Sequence, residues 1–405
     1  MRSQVDLRYW VVGLACFLAS AVAQGVPGSG HAPPASTRAD GTLDLGQLWS
    51  QGRAVGTGPV RFSHAPMGLD DTQRIVPYGL MVGAHVCPID HGYFYPKPRE
   101  DQGHVDVVAP APGFIVQVGH RTSMAGSSER GREYDDYALV IEHSGTFYTQ
   151  YDLLTKLAPK VLAALDPGVR ERFAAKRMGP VVAARIPVAA GECVGQVGGR
   201  SLDFGVVNTE TRLRGFLTPR LYGHYAWRVH VVDPLDYYDE PLRSRLLSLL
   251  VRKAAPPFGK IDYEVDGRLV GNWFLADSGG YAGNPRDPRG YWTGHLAFAY
   301  HCVDPSRIIV SVGDFDGRPR QFGIRGNGPD PATVDAAAGV VIYELVYPPI
   351  NSDGTAIELG PDKRGVQGVI AVQLEADRRL RVEVFPGKTA AEVSEFGTAP
   401  RVYER

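Results

Sequence analysis

Val107-Val-Ala-Pro-Ala-Pro-Gly-Phe-Ile-Val-Gln-Val118 alternates apolar with small or polar residues over strand length and breaks at Pro and Gly. Two later stretches answer it: Ala138-Leu-Val-Ile-Glu-His-Ser-Gly-Thr-Phe-Tyr-Thr-Gln-Tyr151 and Ile186-Pro-Val-Ala-Ala-Gly-Glu-Cys-Val-Gly-Gln-Val-Gly198. A period of two over such lengths predicts half-buried antiparallel strands rather than helices. The three phrases therefore predict one sheet.

Around that sheet the chain is long, 405 residues with 44% hydrophobic content, enough for two or three domains each with its own core. A formal net charge of -1 gives no electrostatic reason to expect nucleic acid or an anionic membrane as partner. The 48 glycines and 31 prolines fit a turn-rich β protein. Residues 1–23 read as a secretory signal, with Arg2 and Arg8 at the basic end, an apolar Tyr9–Val22, and small residues in Ala21-Val-Ala23. The apolar run falls short of the roughly 20 residues of a membrane span, so a secreted or periplasmic protein is expected, with no transmembrane helix once the signal is removed. Leu14-Ala15-Cys16 has part of the wording of a lipobox, but apolar sequence continues past Cys16. Lipid anchoring at Cys16 is thus the lesser reading. Residues 24–59 read as a flexible lead-in.

In order and wording the three phrases resemble the lysostaphin-type zinc endopeptidases, which cleave peptide cross-links in bacterial cell wall. That family's pattern is a "V-x-A-x-x-x-G-x-V" strand, then "v-i-x-H-x-x-G-x-x-t-x-Y-x-H-L", then "V-x-x-G-x-x-I-G-x-x-G", then a strand with "H-x-H-F". The counterparts are Val107 to Ile115, Val140 to Leu154 with Gly145 one place early, Val188 to Gly198, and Ser201-Leu-Asp-Phe204. The likeness runs from about residue 79 to residue 235, within a span of 60–238. It implies an antiparallel β-sheet with an open groove.

The resemblance also implies a zinc site, with ligands from the His and Asp of an "H-x-x-x-D" phrase and the second His of "H-x-H". The first His of that pair and the His of "Y-x-H-L" would assist water and transition state. Carried over position by position, His91 matches the first ligand, but Tyr95 stands where the Asp belongs, Ser201 and Asp203 replace the last two histidines, and Leu153 replaces the catalytic His after Tyr151. Two donors, His91 and Asp203, are fewer than the three a hydrolytic zinc needs. The acid–base and electrostatic contributions are lost with the assisting pair.

The expectation is a non-catalytic pseudo-peptidase without a favoured cofactor. Its groove, lined by His91, Tyr93, Tyr95, Tyr151 and Asp203, would bind cell-wall peptide, glycan or an envelope protein. The alternatives are an active envelope zinc metallopeptidase with ligands rearranged among His85, His91, His104 and Asp203, and a purely architectural protein. His143 matches a family histidine outside the ligand set and is expected to be structural. Cys87 and Cys193, both in the peptidase-like stretch, are the pair available for a disulfide, leaving Cys302 as a buried thiol. No Gly-x-Ser-x-Gly, P-loop or nucleotide fingerprint competes.

Elsewhere, Asp166-Pro167 predicts a helix start inside an insertion between Leu154 and Arg185. Pro241–Arg252 predicts a second helix, within a connector spanning 239–257 and packing between domains. Residues 258–405 predict a second all-β domain, a sandwich or small barrel. Its strand-like runs are Ile308–Gly313, Gly339–Val346, Val369–Leu374 and Leu380–Phe385. Gly271-Asn-Trp273 resembles the Gly-x-Trp of lipocalins, and a buried Trp plugging a β-core is its simpler meaning.

Overall fold

The computed structural model describes residues 56–98, 103–122, 135–175, 181–348, 365–376 and 378–405. The signal-like segment, Cys16 and most of the lead-in lie outside them. The protein is mainly β. Its first half contains β1 (Thr72–Val76), β2 (Gly92–Pro96), β3 (Val105–Val108), β4 (Gly113–Thr122), β5 (Asp135–Ser144), β6 (Phe147–Leu154) and β7 (Lys156–Leu157). After two short helices, α1 (Pro159–Ala164) and α2 (Pro167–Ala174), come β8 (Val182–Val188), β9 (Cys193–Val197) and β10 (Leu202–Asn208).

Each of the three decisive phrases spans two strands, and they build two sheets rather than one. A seven-stranded antiparallel sheet has the order β1-β2-β10-β6-β5-β4-β8, and β3-β9-β7 form a three-stranded one. The split follows from Pro110 and Pro112, which cannot donate to a ladder and so end β3 before β4 begins. The small sheet buries Val105, Val107, Val194 and Val197 in the same core as Ile115, Ile141, Phe147 and Phe204 of the large one.

Gly113 is required where β4 starts: a Cβ there would lie 2.5 Å from the Glu142 carbonyl oxygen and 3.0 Å from His143 Nδ1. His143 bridges the same place structurally, with Nδ1 2.8 Å from the Pro112 carbonyl and Nε2 2.9 Å from Thr149 Oγ1.

The insertion helix forms as its sequence predicts. Asp166 caps α2 by accepting from the Gly168 amide at 2.8 Å, and Val169 and Phe173 are buried. The Phe173 ring packs 4.9 Å from His120 and 5.8 Å from Tyr137, covering that end of β4 and β5. The second helix, α3 (Leu242–Leu249), is shorter than Pro241–Arg252, because Leu250 turns extended and pairs with Ile75. It packs on β1, and Leu246 and Leu250 are buried in the core cluster that contains the large sheet. Arg252 reaches across to the second half. It is 3% exposed, and its guanidinium donates to the carbonyls of Ala254, Ala255, Pro256 and Cys302.

The second half is a closed eight-stranded barrel whose neighbours follow chain order: β11 (Gly271–Leu275), β12 (His295–Tyr300), β13 (Ile308–Val312), β14 (Arg320–Ile324), β15 (Val341–Val346), β16 (Gly368–Leu374), β17 (Arg379–Pro386) and β18 (Arg401–Glu404). Phe274 opposite Glu404 and Leu275 opposite Tyr403 close it. Trp273, Phe298, Val310, Tyr343, Ile370 and Val382 belong to its buried core, as an eight-stranded barrel has room for. Trp273 is wholly buried and donates from Nε1 to the Leu269 carbonyl at 2.8 Å. Among the described residues no helix is long and apolar enough to cross a membrane.

Candidate functional site

The site grows from strand register. Asp203 on β10 lies opposite Tyr93 on β2 and opposite Asp152 on β6, so these three side chains share one face of the large sheet. Two strands further on, Arg121 of β4 faces Asp136 of β5. A β-bulge at Asp152-Leu153, where Leu153 takes φ +64°, sets two residues of β6 against one of β5.

The result is a ladder of charges across the sheet. Arg121 Nε donates to Asp136 Oδ1 at 2.8 Å, Arg121 Nη2 lies 3.6 Å from Asp152 Oδ1, and Arg200 Nη1 donates to Asp136 Oδ2 at 2.6 Å. The Asp136 side chain has no exposure, those of Asp152 and Arg200 keep 14% and 20%, and solvent therefore reaches the ladder near these two.

His91 stands at the end of this ladder. Its Nδ1 is 3.2 Å from Asp90 Oδ1, and its Nε2 is 3.2 Å from Tyr93 Oη and 3.4 Å from Asp203 Oδ2. The Asp203 contact lacks hydrogen-bond geometry, and neither Asp203 oxygen accepts a hydrogen bond. Asp90 in turn accepts from Trp227 Nε1 at 3.1 Å and lies 3.4 Å from Arg228 Nη1. Burial works against the Asp90 charge, but Arg228 and His91 outweigh it and hold the carboxyl well below the usual carboxylate range. Because an ionised Asp90 can only accept, His91 carries its proton on Nδ1 and turns an acceptor nitrogen toward Tyr93 and Asp203.

Burial keeps the imidazoles neutral: the His91 pKa is lowered against the pull of Asp90, and burial with the neighbouring His91 takes His85 down to about 3. The carboxyls move the other way. Burial, then Asp152, raises Asp203 well above the ordinary value, and burial raises Asp152 to about 7 despite Arg121.

The implied open groove is roofed. Tyr93, 2% exposed, packs with Val76, Leu80, Ile89 and Cys302, so the loop before β2 and the barrel lie over this face. Gly83 and Gln321 exchange two hydrogen bonds at 2.8 and 2.9 Å, fixing that loop to the barrel wall. On β12, Ala299 is buried in a small cluster against which Met81 of that loop packs.

Tyr151 is not on the groove face at all. It is opposite Phe204 rather than Asp203, its ring packs 5.3 Å from Phe204, and its hydroxyl donates to the Val108 carbonyl across the core. Tyr95 is half-buried at the rim with the Arg74 guanidinium 4.3 Å from its ring centre. Leu153 is half-buried, and Ser201 is buried. His104 is exposed, beside Gly198 and next to the small sheet.

The four metal candidates therefore do not converge. His85 and His91 have ring centres 6.0 Å apart and Asp203 adjoins His91, but His104 sits elsewhere. Among the described residues no group of three or more His, Cys, Asp and Glu is arranged to hold a metal ion. His91 already gives Nδ1 to Asp90 and Nε2 to Tyr93, so the residues present do not fit the hydrolytic zinc that the resemblance implies. The Cys87–Cys193 pairing that the sequence left open is not formed: both are free thiols. Cys87 is buried 3.8 Å from His295 Nδ1, whereas Cys193 is half-buried on β9.

Sequence reading passed over Arg121, Asp136, Asp152, Arg200 and Arg228. The first two are charged residues near the ends of β4 and β5, where charge is unremarkable. Asp152 is the single charge of β6, and nothing local marks Arg200 or Arg228.

Two solved structures are similar to the chain at low level. A zinc-containing peptidase from Vibrio cholerae has 17% identity over 38% of this chain, with a TM-score of 0.20. The chain spans 38% of that structure's length. Lysostaphin has 13% identity over 67% of this chain and 98% of its own, with a TM-score of 0.23. No family model and no curated protein matches the sequence.

Proposed function

We propose that this is an exported, non-catalytic protein of the cell envelope that binds cell-wall peptide, glycan or an envelope protein at the edge of a peptidase-like cleft. One observation carries the reading. Tyr95, Leu153 and Ser201 stand where the resemblance places a ligand and two assisting histidines, and His91 is committed to Asp90 and Tyr93 within the protein. A cleft that keeps an acidic and a basic side chain at its solvent edge, Asp152 and Arg200, with Tyr95 at the rim, offers polar and aromatic contacts to such a ligand.

Metal analysis of purified protein and of His91→Ala tests the loss of chemistry: background zinc in both is expected. Near-stoichiometric zinc that disappears in the variant would return the chain to the metallopeptidases. Pull-down on purified sacculi tests the binding, and a failure to be retained would favour the architectural role.

A further inference from the structure

We propose that the second half is a fixed part of the face it covers, so that the sheet face bearing His91 and Asp203 does not open to a ligand. Two halves of one chain are expected to move against each other unless the surface between them is large and apolar. Here that surface is built like a core. Tyr281, Tyr291 and Trp292, from the connection between β11 and β12, are buried in the same core cluster as Phe216, Tyr222 and Tyr225 of the first half. The Tyr281 ring centre lies 4.9 Å from that of Tyr225 and 5.8 Å from that of Tyr222, and each of these three residues is at most 5% exposed.

The backbones meet as closely as the rings. A Cβ on Gly280 of the second half would lie 2.5 Å from the Leu221 carbonyl oxygen, and one on Gly215 of the first half would lie 1.9 Å from that of Asp262. Glycine on both sides of the seam thus fits each half to its being shut. Buried polar groups are satisfied across it as well. Glu264, 4% exposed, accepts from the Leu217 amide at 2.7 Å and from the Tyr222 hydroxyl, which in turn accepts from Asn272 Nδ2 at 3.0 Å. Parting the halves would expose the rings to water and give up these bonds together, as in an obligate interface, whereas lids are drawn from the least stable parts of a fold. What stays open to a ligand is the rim, where the side chains of Asp152 and Arg200 keep 14% and 20% of their exposure.

Native-state hydrogen exchange on the full chain in rising urea tests this. The amides of Tyr78, Leu217 and Glu264 bond across the seam, to Phe258, Glu264 and Gly215. They are expected to exchange through the same opening, with the same urea dependence, as Ile141 in the large sheet and Val310 in the barrel. Retention on sacculi gives a second arm, with Gln321→Ala removing both bonds to Gly83. If a ligand had to wait for the barrel to lift, losing two hydrogen bonds would enlarge the open population and tighten retention about tenfold or more. The expected result is equal retention with a lower urea midpoint. If Gln321→Ala does not fold, Tyr281→Phe, which removes a single hydroxyl bonded to Arg228, carries the same comparison.

Seam amides that exchange together through a smaller opening, while Ile141 and Val310 stay protected, would overturn the proposal and make the barrel a lid. Tighter retention of the loosened variant would overturn it too. Should neither wild type nor variant be retained, envelope binding fails, and hydrogen exchange alone decides whether the halves part.

Discussion

Arg228 and Tyr281 tie the two halves of the molecule together: the guanidinium carbon lies 4.4 Å from the centre of the Tyr281 ring, and Nη1 donates to the Tyr281 hydroxyl at 2.8 Å. The same side chain, 1% exposed, donates through Nη2 to the Pro88 carbonyl and neutralises Asp90, the partner of His91. The orientation of the candidate site is therefore set partly from the barrel side. Arg228→Met should cost about 3–5 kcal/mol, because it strands the buried Asp90 charge, and Arg228→Lys should recover only part, since one ammonium cannot serve all three partners. Chemical denaturation measures both. A loss under about 1 kcal/mol for the Met variant would show that the ion pair contributes little.

Acid should unfold the protein through two buried histidines. Burial lowers His143 to about 4 and His295 to about 3. Below pH 6.5 the unfolded chain binds protons that the folded one refuses, so their contribution is fully present above pH 6.5 and is lost as pH falls toward 4 and 3. Each pKa unit corresponds to 1.36 kcal/mol, so His143 alone removes about 3 kcal/mol by pH 4. Asp152, raised to about 7, acts oppositely: its contribution is present below about pH 4 and fades as pH rises through 7. Urea denaturation between pH 7 and 4 should show a shallower slope for His143→Phe than for wild type. Parallel slopes would mean that His143 is not held neutral.

The thiols give an inexpensive check on the fold. Cys87 and Cys302 are buried, and burial pushes both up to about 12, whereas Cys193 is half-buried. Of these three, native protein should expose Cys193 alone to a thiol reagent such as DTNB, with the other two reacting only on denaturation. A Cys87–Cys193 cross-link in non-reduced protein would contradict this packing.

What the sequence disclosed was local. The strand phrases and the insertion helix are written in short-range alternation, in Asp166-Pro167, and in glycines such as Gly113 whose need is felt within a neighbouring strand. The barrel was half legible: β13, β15, β16 and β17 stand out as runs, but β11, β12, β14 and β18 are short or buried on both sides and show no clean alternation. The site was the least legible part. Asp152 gains its meaning by lying opposite Asp203, and Arg228 by reaching Pro88 and Tyr281, relations fixed by register and docking rather than by neighbours in sequence. Tyr151 shows the error in reverse. Its motif placed it in the groove, while strand parity places it beside Phe204 in the core.

Arg405 is predicted to lock the barrel where its strands meet. Its guanidinium lies 4.1 Å from the Trp273 ring and donates to the carbonyls of Val265, Arg268 and Val270, the run that leads into β11. The neighbouring Leu269 carbonyl is already taken by Trp273 Nε1. Arg405→Ala would leave three carbonyls without this donor and uncover Trp273. A single buried unsatisfied group costs about 1–3 kcal/mol and a desolvated cation–π contact about 2, so a net loss of about 3–4 kcal/mol is expected after local relaxation. Arg405→Lys should lose about half as much, because it keeps charge over the ring but reaches fewer carbonyls. Hydrogen exchange at Phe274 and Tyr403, on the closing strands, should quicken in the Ala variant before exchange at Val310 or Ile370 does. Equal protection at the closing strands in both proteins would show that β11 and β18 hold together without Arg405.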